Sequence, residues 1–229
     1  MQKQLLLGVE AIAQGAIDSG ISGVYAYPGT PSTEITEYIQ NSEQALQRNI
    51  HREWSANEKT AMEAALGMSY AGKRALVCMK HVGMNVAADC FMNAAITGAN
   101  GGIVITAADD PSMHSSQNEQ DSRVYGKFAL IPILEPSNQQ EAYEMVRYAF
   151  ALSETVGSPV LLRITTRLAH SRAGVSINEA LPENHLRLPD NKRQFVLLPA
   201  IARKQYRLLL NKQADFKEAS DNSPFNSYI

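Results

Sequence analysis

The chain has 229 residues, of which 45% are hydrophobic and 19% are charged, and its formal net charge is −2. These values predict one large globular domain or a domain with an extension, and they exclude a broad basic surface for nucleic acid. No signal peptide opens the sequence, and no apolar run approaches the ~18 residues of a membrane-spanning helix. Cys78 and Cys90 form neither a metal motif nor a disulfide pattern. They are therefore predicted to be buried free thiols, which indicates a cytoplasmic protein.

Short apolar runs alternate with amphipathic segments along most of the chain. Strands are predicted at residues 23–27, 49–52, 75–79, 102–106, 131–134 and 160–165. Helical spacing of apolar residues predicts helices around residues 9–17, 35–39, 61–68, 87–97 and 142–150. Residues 166–191 are predicted to be irregular, and residues 200–220 mostly helical. The alternation indicates an α/β fold with three layers, in which helices cover both faces of a six-stranded parallel sheet.

Glu58 stands at the start of the third predicted helix and continues its apolar stripe. The stripe is formed by Ala61, Ala64, Ala65 and Met68. Glu63 lies off the stripe and is predicted to be solvated. One interpretation of Glu58 is structural, because Ser55-x-x-Glu58 has the pattern of a helix capping box. The other is chemical, because burial raises a carboxyl pKa and prepares the group to share a proton with a ligand. Spacing alone favours the cap.

Right-handed crossovers place every strand-to-helix loop at one edge of the predicted sheet. Four loops should meet there, at residues 27–32, 53–58, 80–85 and 107–121, and Glu58, His81 and Asp109 should converge. The first loop could hold a ligand, or Thr30 or Ser32 could simply cap the following helix. The polar segment at 112–123 is interpreted as a solvated loop in preference to a lid. Glycine motifs for nucleotide phosphates are absent, no hydrolase elbow exists, and no metal site is predicted.

Several of these segments resemble the alpha subunit of indolepyruvate:ferredoxin oxidoreductases. They are Tyr27-Pro28-Gly29-Thr30-Pro31-Ser32, Glu53-Trp54-Ser55-x-Asn57-Glu58-Lys59, the run from Met79 to Asp89, and the run from Ala108 to Asp121. The resemblance covers residues 5–170 in order, and the tail at 197–226 is similar to that family's interdomain region. It implies a pyrimidine-binding domain of an enzyme that uses thiamine diphosphate.

The resemblance also implies roles for individual residues. Glu58 would be the catalytic residue, hydrogen-bonded to N1′ of the cofactor's aminopyrimidine. His81, Val82, Gly83 and Asn85 would lie beside the pyrimidine ring, and Thr30 and Asp109 would lie on the substrate side. Related pyruvate enzymes carry an arginine where this chain has Ala108. The difference fits a bulkier aryl 2-oxoacid.

The activity implied is oxidative decarboxylation of aryl 2-oxoacids to acyl-CoA, with electrons passed to ferredoxin. The family's Gly-Asp-Gly magnesium motif and cluster cysteines are absent from this sequence. We therefore expect residues 1–175 to form the pyrimidine-binding domain and residues 176–229 to lead toward a C-terminal diphosphate-binding domain. Mg and 4Fe-4S clusters are expected there. Other expected partners are a beta subunit, ferredoxin, coenzyme A and a second copy of the chain. Two alternatives remain: the pyrimidine subunit of a nonoxidative 2-oxoacid decarboxylase, and a noncatalytic interaction domain.

Overall fold

The computed structural model describes residues 2–227, and its largest sheet has six parallel strands in the order β3-β2-β4-β5-β7-β6. The strands are β1 Gln2–Leu7, β2 Gly23–Ala26, β3 His51–Trp54, β4 Ala75–Lys80, β5 Ile103–Asp109, β6 Ile133–Leu134, β7 Val160–Thr165 and β8 Arg172–Ile177. The helices are α1 Gly8–Asp18, α2 Thr33–Asn41, α3 Glu43–Gln47, α4 Glu58–Tyr70, α5 His81–Thr97, α6 Arg123–Ala129, α7 Gln139–Val156, α8 Thr166–Ala169, α9 Pro199–Asn211 and α10 Gln213–Asp221. A short 3-10 helix spans Lys192–Phe195. The predicted three-layer α/β/α architecture is confirmed.

The two faces of the sheet are covered by different helices because side chains alternate along each strand. In β4, Leu76 and Cys78 pack into the core shared with α1, α2 and α7. Val77 and Met79 point the other way, into the core shared with α4 and α5. Every residue of β4 and β5 is buried. These two strands form the centre of the domain, and their carboxyl ends lie side by side at one edge.

A second sheet was not predicted. β1 pairs with β8 in an antiparallel ladder that joins Gln2 to Ile177 and Leu7 to Arg172. The prediction that residues 166–191 are irregular is therefore wrong, because α8 and β8 lie within that range. The whole six-stranded sheet lies between the two strands in the sequence, so no local pattern reveals their pairing. The predicted domain boundary at residue 175 falls within β8. The division into residues 1–175 and 176–229 stays a prediction.

The sequence pattern Ser137-x-x-Gln140 predicts a capping box at the start of α7, and the observed cap lies one residue later. Asn138 is the capping residue, and its side chain accepts a hydrogen bond from the Glu141 backbone N–H at 3.0 Å. The predicted capping box of Ser137 and Gln140 is thus wrong, although both asparagine and serine are good caps. Cys78 and Cys90 are buried free thiols, as predicted. Within the described part of the chain, no helix is long and apolar enough to cross a membrane.

Candidate functional site

Glu58 is the first residue of α4, directly after the loop that leaves β3. The cap of this helix is Asn57, whose side-chain oxygen accepts from the Thr60 backbone N–H at 2.9 Å. The predicted capping box of Ser55 and Glu58 is therefore wrong, because asparagine already satisfies the donor. Among residues 2–227, the Glu58 carboxylate has no hydrogen-bond or ion-pair partner. It lies at the positive end of its own helix, which favours a negative charge there.

The buried face of α4 is rotated relative to the predicted stripe. It consists of Ala61, Met62, Ala65, Leu66 and Ser69. Ala64 is exposed, so the prediction that it belongs to the buried stripe was wrong. Glu63 is exposed, as predicted. Glu58 is half-buried at the end of that face. Its carboxylate is thus held near the sheet but remains open to a ligand.

The Glu58 side chain lies against Gly83 in the first turn of α5. A Cβ built on Gly83 would come within 2.6 Å of Glu58 Oε1 and 2.7 Å of its Cγ. Any larger residue at this position would displace the carboxylate. The loop predicted at 80–85 does not exist, because α5 begins at His81. Glu58 therefore sits where the positive ends of two helices meet.

The other residues predicted beside the cofactor all lie in the first turns of α5. Val82 is half-buried and Asn85 is exposed, with its side-chain oxygen accepting from the Tyr125 hydroxyl. His81 is fully buried. Its Nε2 lies 3.1 Å from the Asn118 carbonyl oxygen, and its Nδ1 has no partner among the described residues. The imidazole is thus tied to the loop after β5, not open at the edge.

Thr30 is exposed on the loop that leaves β2. The loop is held by two hydrogen bonds at its ends: the Gly29 backbone N–H donates to Thr33 Oγ1, and Ser32 Oγ donates to the Gly29 carbonyl, both at 2.7 Å. Ser32 precedes α2, but its side chain makes no cap hydrogen bond, so the predicted cap is wrong. The peptide bond between Thr30 and Pro31 is cis. An open cavity of about 410 Å³ is lined by Thr30, His114, Ser115, Thr166, Arg167 and His170.

Asp109 ends β5, but its carboxylate is not available at the surface. The residue is fully buried, and Arg163 Nε donates to its Oδ2 at 2.7 Å. Ser122 donates to it through both its backbone N–H and its hydroxyl. The pair with Arg163 satisfies a charge inside the domain, as buried carboxylates require. The geometry gives no support to the predicted substrate contact of Asp109.

The loop at residues 110–122 is anchored at several points, although most of its side chains are exposed. Asp110 is buried, and its Oδ2 accepts from the Ser115 N–H at 2.8 Å and from Ser116 Oγ at 2.5 Å. Burial alone would raise the pKa of Asp110. The hydrogen bonds from Ser116 and Ser115, with the charge of Lys80, outweigh it and hold that pKa below its ordinary value. The interpretation as a purely solvated loop was therefore incomplete.

Sequence reasoning missed two cations at this edge. Arg163 lies within the apolar strand β7, and Lys80 is the last residue of the apolar strand β4. In the sequence, each of these cations directly follows a run of apolar residues. That pattern could have indicated a buried cation, which requires a partner. Arg163 has Asp109. Lys80 donates to the Ser115 carbonyl oxygen at 2.7 Å. Within residues 2–227, no group of three or more His, Cys, Asp or Glu residues is arranged to hold a metal ion.

Comparison with known families assigns the chain to one of them. Residues 14–208 match the family model described as pyruvate flavodoxin/ferredoxin oxidoreductase, thiamine diP-bdg. The chain belongs to this family. The thiamine diphosphate-binding domain of these oxidoreductases accounts for the α/β fold and for the resemblance of the loops.

Curated relatives within the family carry more specific names. Indolepyruvate oxidoreductase subunit IorA of Pyrococcus abyssi is 48% identical over 98% of this chain. The protein of the same name from Archaeoglobus fulgidus is 47% identical over 98% of it. A more distant member, 2-oxoglutarate synthase subunit KorA of Methanothermobacter thermautotrophicus, is 29% identical over 77% of the chain. The chain covers 35% of the first relative and 37% of the second, so it spans about a third of their length.

A solved structure supports the same fold. The 2-oxoglutarate:ferredoxin oxidoreductase from Magnetococcus marinus superposes with a TM-score of 0.72. The match covers 99% of this chain and 46% of that one, at 17% sequence identity. At this level of identity the likeness concerns the fold alone.

Proposed function

We propose that this chain is the pyrimidine-binding part of an indolepyruvate:ferredoxin oxidoreductase. The complete enzyme would decarboxylate aryl 2-oxoacids oxidatively, form acyl-CoA and pass electrons to ferredoxin. The observation that carries the proposal is the Glu58 carboxylate, which is half-buried, free of partners among the described residues and held against Gly83 at the carboxyl edge of a thiamine diphosphate-binding domain. The names and the 47–48% identity of the curated relatives favour an aryl substrate.

The residues at this edge fit the aminopyrimidine end of thiamine diphosphate. Gly83 has no side chain, which leaves room for the Glu58 carboxylate itself, and Glu58 has a free acceptor oxygen for a ring nitrogen. Thiamine diphosphate supplies the electron sink that makes loss of carbon dioxide from a 2-oxoacid feasible. Glu58 would share a proton with N1′ through one carboxylate oxygen, and general acid–base help of this kind contributes about 10²–10⁴-fold to a rate.

Neighbouring residues would place the ring and the substrate. Val82 offers an apolar side chain beside Gly83, and Asn85 offers an amide one turn further along α5. His81 is buried, so we assign it an indirect role, in which it holds the loop after β5 through the Asn118 carbonyl. Thr30 would lie near the carboxylate of the 2-oxoacid, at the end of the loop that follows β2.

The rest of the enzyme would supply what this part does not. We place the diphosphate site, its Mg and the 4Fe-4S clusters in the C-terminal part of a longer subunit, since this chain spans about a third of its relatives. The first 175 residues would be the pyrimidine-binding domain, and residues 176–229 would lead to that C-terminal part. The further partners that we propose are a beta subunit, ferredoxin, coenzyme A and a second copy of the chain. We propose that the enzyme acts in the cytoplasm.

The test is an assay of the complete subunit with its partner subunit. Indolepyruvate and phenylpyruvate should reduce ferredoxin in a coenzyme A-dependent reaction that yields the aryl acyl-CoA. An aldehyde formed without reduction of ferredoxin would instead show a nonoxidative decarboxylase. Full activity of a Glu58→Ala enzyme would show that this domain is noncatalytic. Either result would overturn the proposal.

A further inference from the structure

Lys80 is a buried cation whose hydrogen-bonding capacity is mostly unused. The residue is only 7% exposed, at the end of the fully buried strand β4. Its ammonium makes one hydrogen bond within residues 2–227, to the neutral carbonyl of Ser115, and it forms no salt bridge there. An ammonium has three donors, and a buried charge is costly unless an opposite charge compensates it. The described surroundings of Lys80 therefore lack a paired anion.

The nearby carboxylates do not fill this role. Asp109 is paired with Arg163 and bonded to Ser122. Asp110 lies near enough for the charge of Lys80 to lower its pKa, but its Oδ2 accepts from Ser115 and Ser116 within its own loop, and its Oδ1 has no hydrogen-bond partner among the described residues. The charges of Lys80 and Asp110 attract each other, but no ion pair forms between them within the described residues, so the ammonium can still bind an anion.

Lys80 does not itself line the cavity that contains Thr30, but it contacts residues at the wall of that cavity. A Cβ on Gly29 would stand 3.2 Å from the Lys80 Cβ, so the loop after β2 crosses directly over the lysine stem. Thr30 follows Gly29, and Ser115 is the residue that Lys80 holds. Both of them line the cavity of about 410 Å³. No aspartate or glutamate belongs to its described lining, so the cavity suits an anionic group.

We propose that Lys80 binds the carboxylate of the 2-oxoacid, together with Thr30, and so determines recognition of the substrate's acid group. The inference rests on the proposed function and adds a residue to it. Ser115 leaves two of the ammonium's donors free, which suits a carboxylate with two oxygens. A lysine acts as a point charge and imposes little geometry on its partner, in contrast to the planar fork of an arginine.

Two rival roles for Lys80 predict different effects of its replacement. The lysine could serve only to hold the loop at 110–122 through Ser115, or its anion could be the cofactor's diphosphate. A purely structural role would affect neutral and charged ligands alike, and a diphosphate role would affect thiamine diphosphate itself. Arg167 is a rival cation, because it also lines the cavity, although it is exposed on α8.

The experiment compares Lys80→Gln, Lys80→Arg and Arg167→Gln in the complete enzyme with its partner subunits. Calorimetry would measure binding of 3-phenylpropanoate, an unreactive aryl carboxylate, and of 3-phenylpropanamide, its neutral counterpart. Binding of thiamine diphosphate and the KM for phenylpyruvate would be measured in parallel. We expect Lys80→Gln to weaken carboxylate binding and raise KM by about tenfold to a hundredfold, the usual effect of losing a charge-assisted hydrogen bond. Amide and cofactor binding should stay near wild type, and Lys80→Arg should recover most of the loss.

Each rival role has its own result. Equal weakening of the carboxylate and the amide, in either Lys80 variant, would show a structural role and overturn the inference. Weakened cofactor binding with normal carboxylate binding would assign the lysine to the diphosphate and overturn it too. A carboxylate-specific loss in Arg167→Gln alone would move the site to that residue. If wild-type enzyme turns over phenylpyruvate while Lys80→Gln binds the carboxylate normally, this inference fails and the proposed function stands.

Discussion

Glu58 and Gly83 are in contact across the first turns of α4 and α5, so closely that a Cβ on Gly83 would lie 2.6 Å from Glu58 Oε1. The two residues follow different strands, β3 and β4, which are separated in the sheet by β2. Their contact depends on the parallel sheet, which brings the starts of both helices to the same edge. The position of the carboxylate is thus set by the fold and by the absence of one side chain.

Gly83→Ala should displace the Glu58 carboxylate while leaving the helix intact. Alanine is the better helix former, so the fold should survive, but binding of thiamine diphosphate and turnover should fall strongly because the Cβ overlaps the glutamate. Gly67→Ala in α4 is the matched control, since nothing lies within 4 Å of its added Cβ. That variant should gain about 0.5–1 kcal/mol of stability with normal activity. Thermal unfolding would measure the stability of both variants, and calorimetry would measure their affinity for thiamine diphosphate. Wild-type cofactor affinity in Gly83→Ala would contradict the contact described.

Glu154 should make a pH-dependent contribution to the free energy of unfolding. Arg74 donates two hydrogen bonds to its carboxylate, both at 2.8 Å, and Asn184 donates a third at 2.7 Å. Burial alone would raise the pKa of Glu154, but these partners lower it below its ordinary value. Because the folded pKa is lowered, the stabilisation is complete above the ordinary pKa of a glutamate and is lost as the pH falls through the lowered value.

Glu154→Gln should therefore destabilise the protein by about 1.5–3 kcal/mol near neutral pH, the range for hydrogen bonds to a charged group. The difference from wild type should shrink in acid, which denaturant unfolding at a series of pH values would measure. Asp221→Asn is the control, because its ion pair with Lys217 is exposed and such pairs contribute little. A Glu154→Gln effect that is constant across the acidic range would show that the ion pair is not the cause.

The thiols of Cys78 and Cys90 should resist alkylation in the folded protein. Burial raises the pKa of Cys90 to about 11, with a further contribution from the charge of Glu63. Burial raises the pKa of Cys78 well above its usual range. Since the thiolate is the reactive form, neither residue should react with iodoacetamide at neutral pH. Mass spectrometry should show both labelled after unfolding in denaturant. Rapid labelling of native protein at either cysteine would contradict the burial described.

Much of the fold could be predicted from the sequence because its signals are local. Buried parallel strands are continuous apolar runs, and the helices between them repeat apolar residues at helical spacing, so the six strands were placed within a few residues. β1 and β8 were missed because each is stabilised by the other, at the opposite end of the domain sequence. The short helix α6 was missed because it has only seven residues and buries only Gly126 and Ala129, whereas its large apolar residues Val124 and Phe128 are exposed.

The site was predicted less completely, for reasons that lie in three-dimensional contacts. The resemblance singles out Glu58 and Gly83, but their contact is visible only in the structure. Asp109 was interpreted as a ligand because it stands at the end of a strand. Its actual partner in an ion pair is Arg163, which lies 54 positions later in the sequence. Lys80 lies within a motif of the resemblance but received no role, since its burial and its lack of an anionic partner among the described residues cannot be read from spacing.

The role of Glu58 is tested most directly by comparing Glu58→Gln with Glu63→Gln in the complete enzyme. The Glu58 carboxylate has no partner among the described residues and Asn57 caps the helix, so Glu58→Gln should keep the wild-type thermal midpoint. Glu63 is exposed on the same helix and serves as the matched control. The measurement is hydrogen–deuterium exchange at C2 of bound thiamine diphosphate. We predict about 10²–10⁴-fold slower exchange in Glu58→Gln and wild-type exchange in Glu63→Gln, because an amide cannot share a proton with N1′. Unchanged exchange in a folded Glu58→Gln enzyme would contradict the central claim.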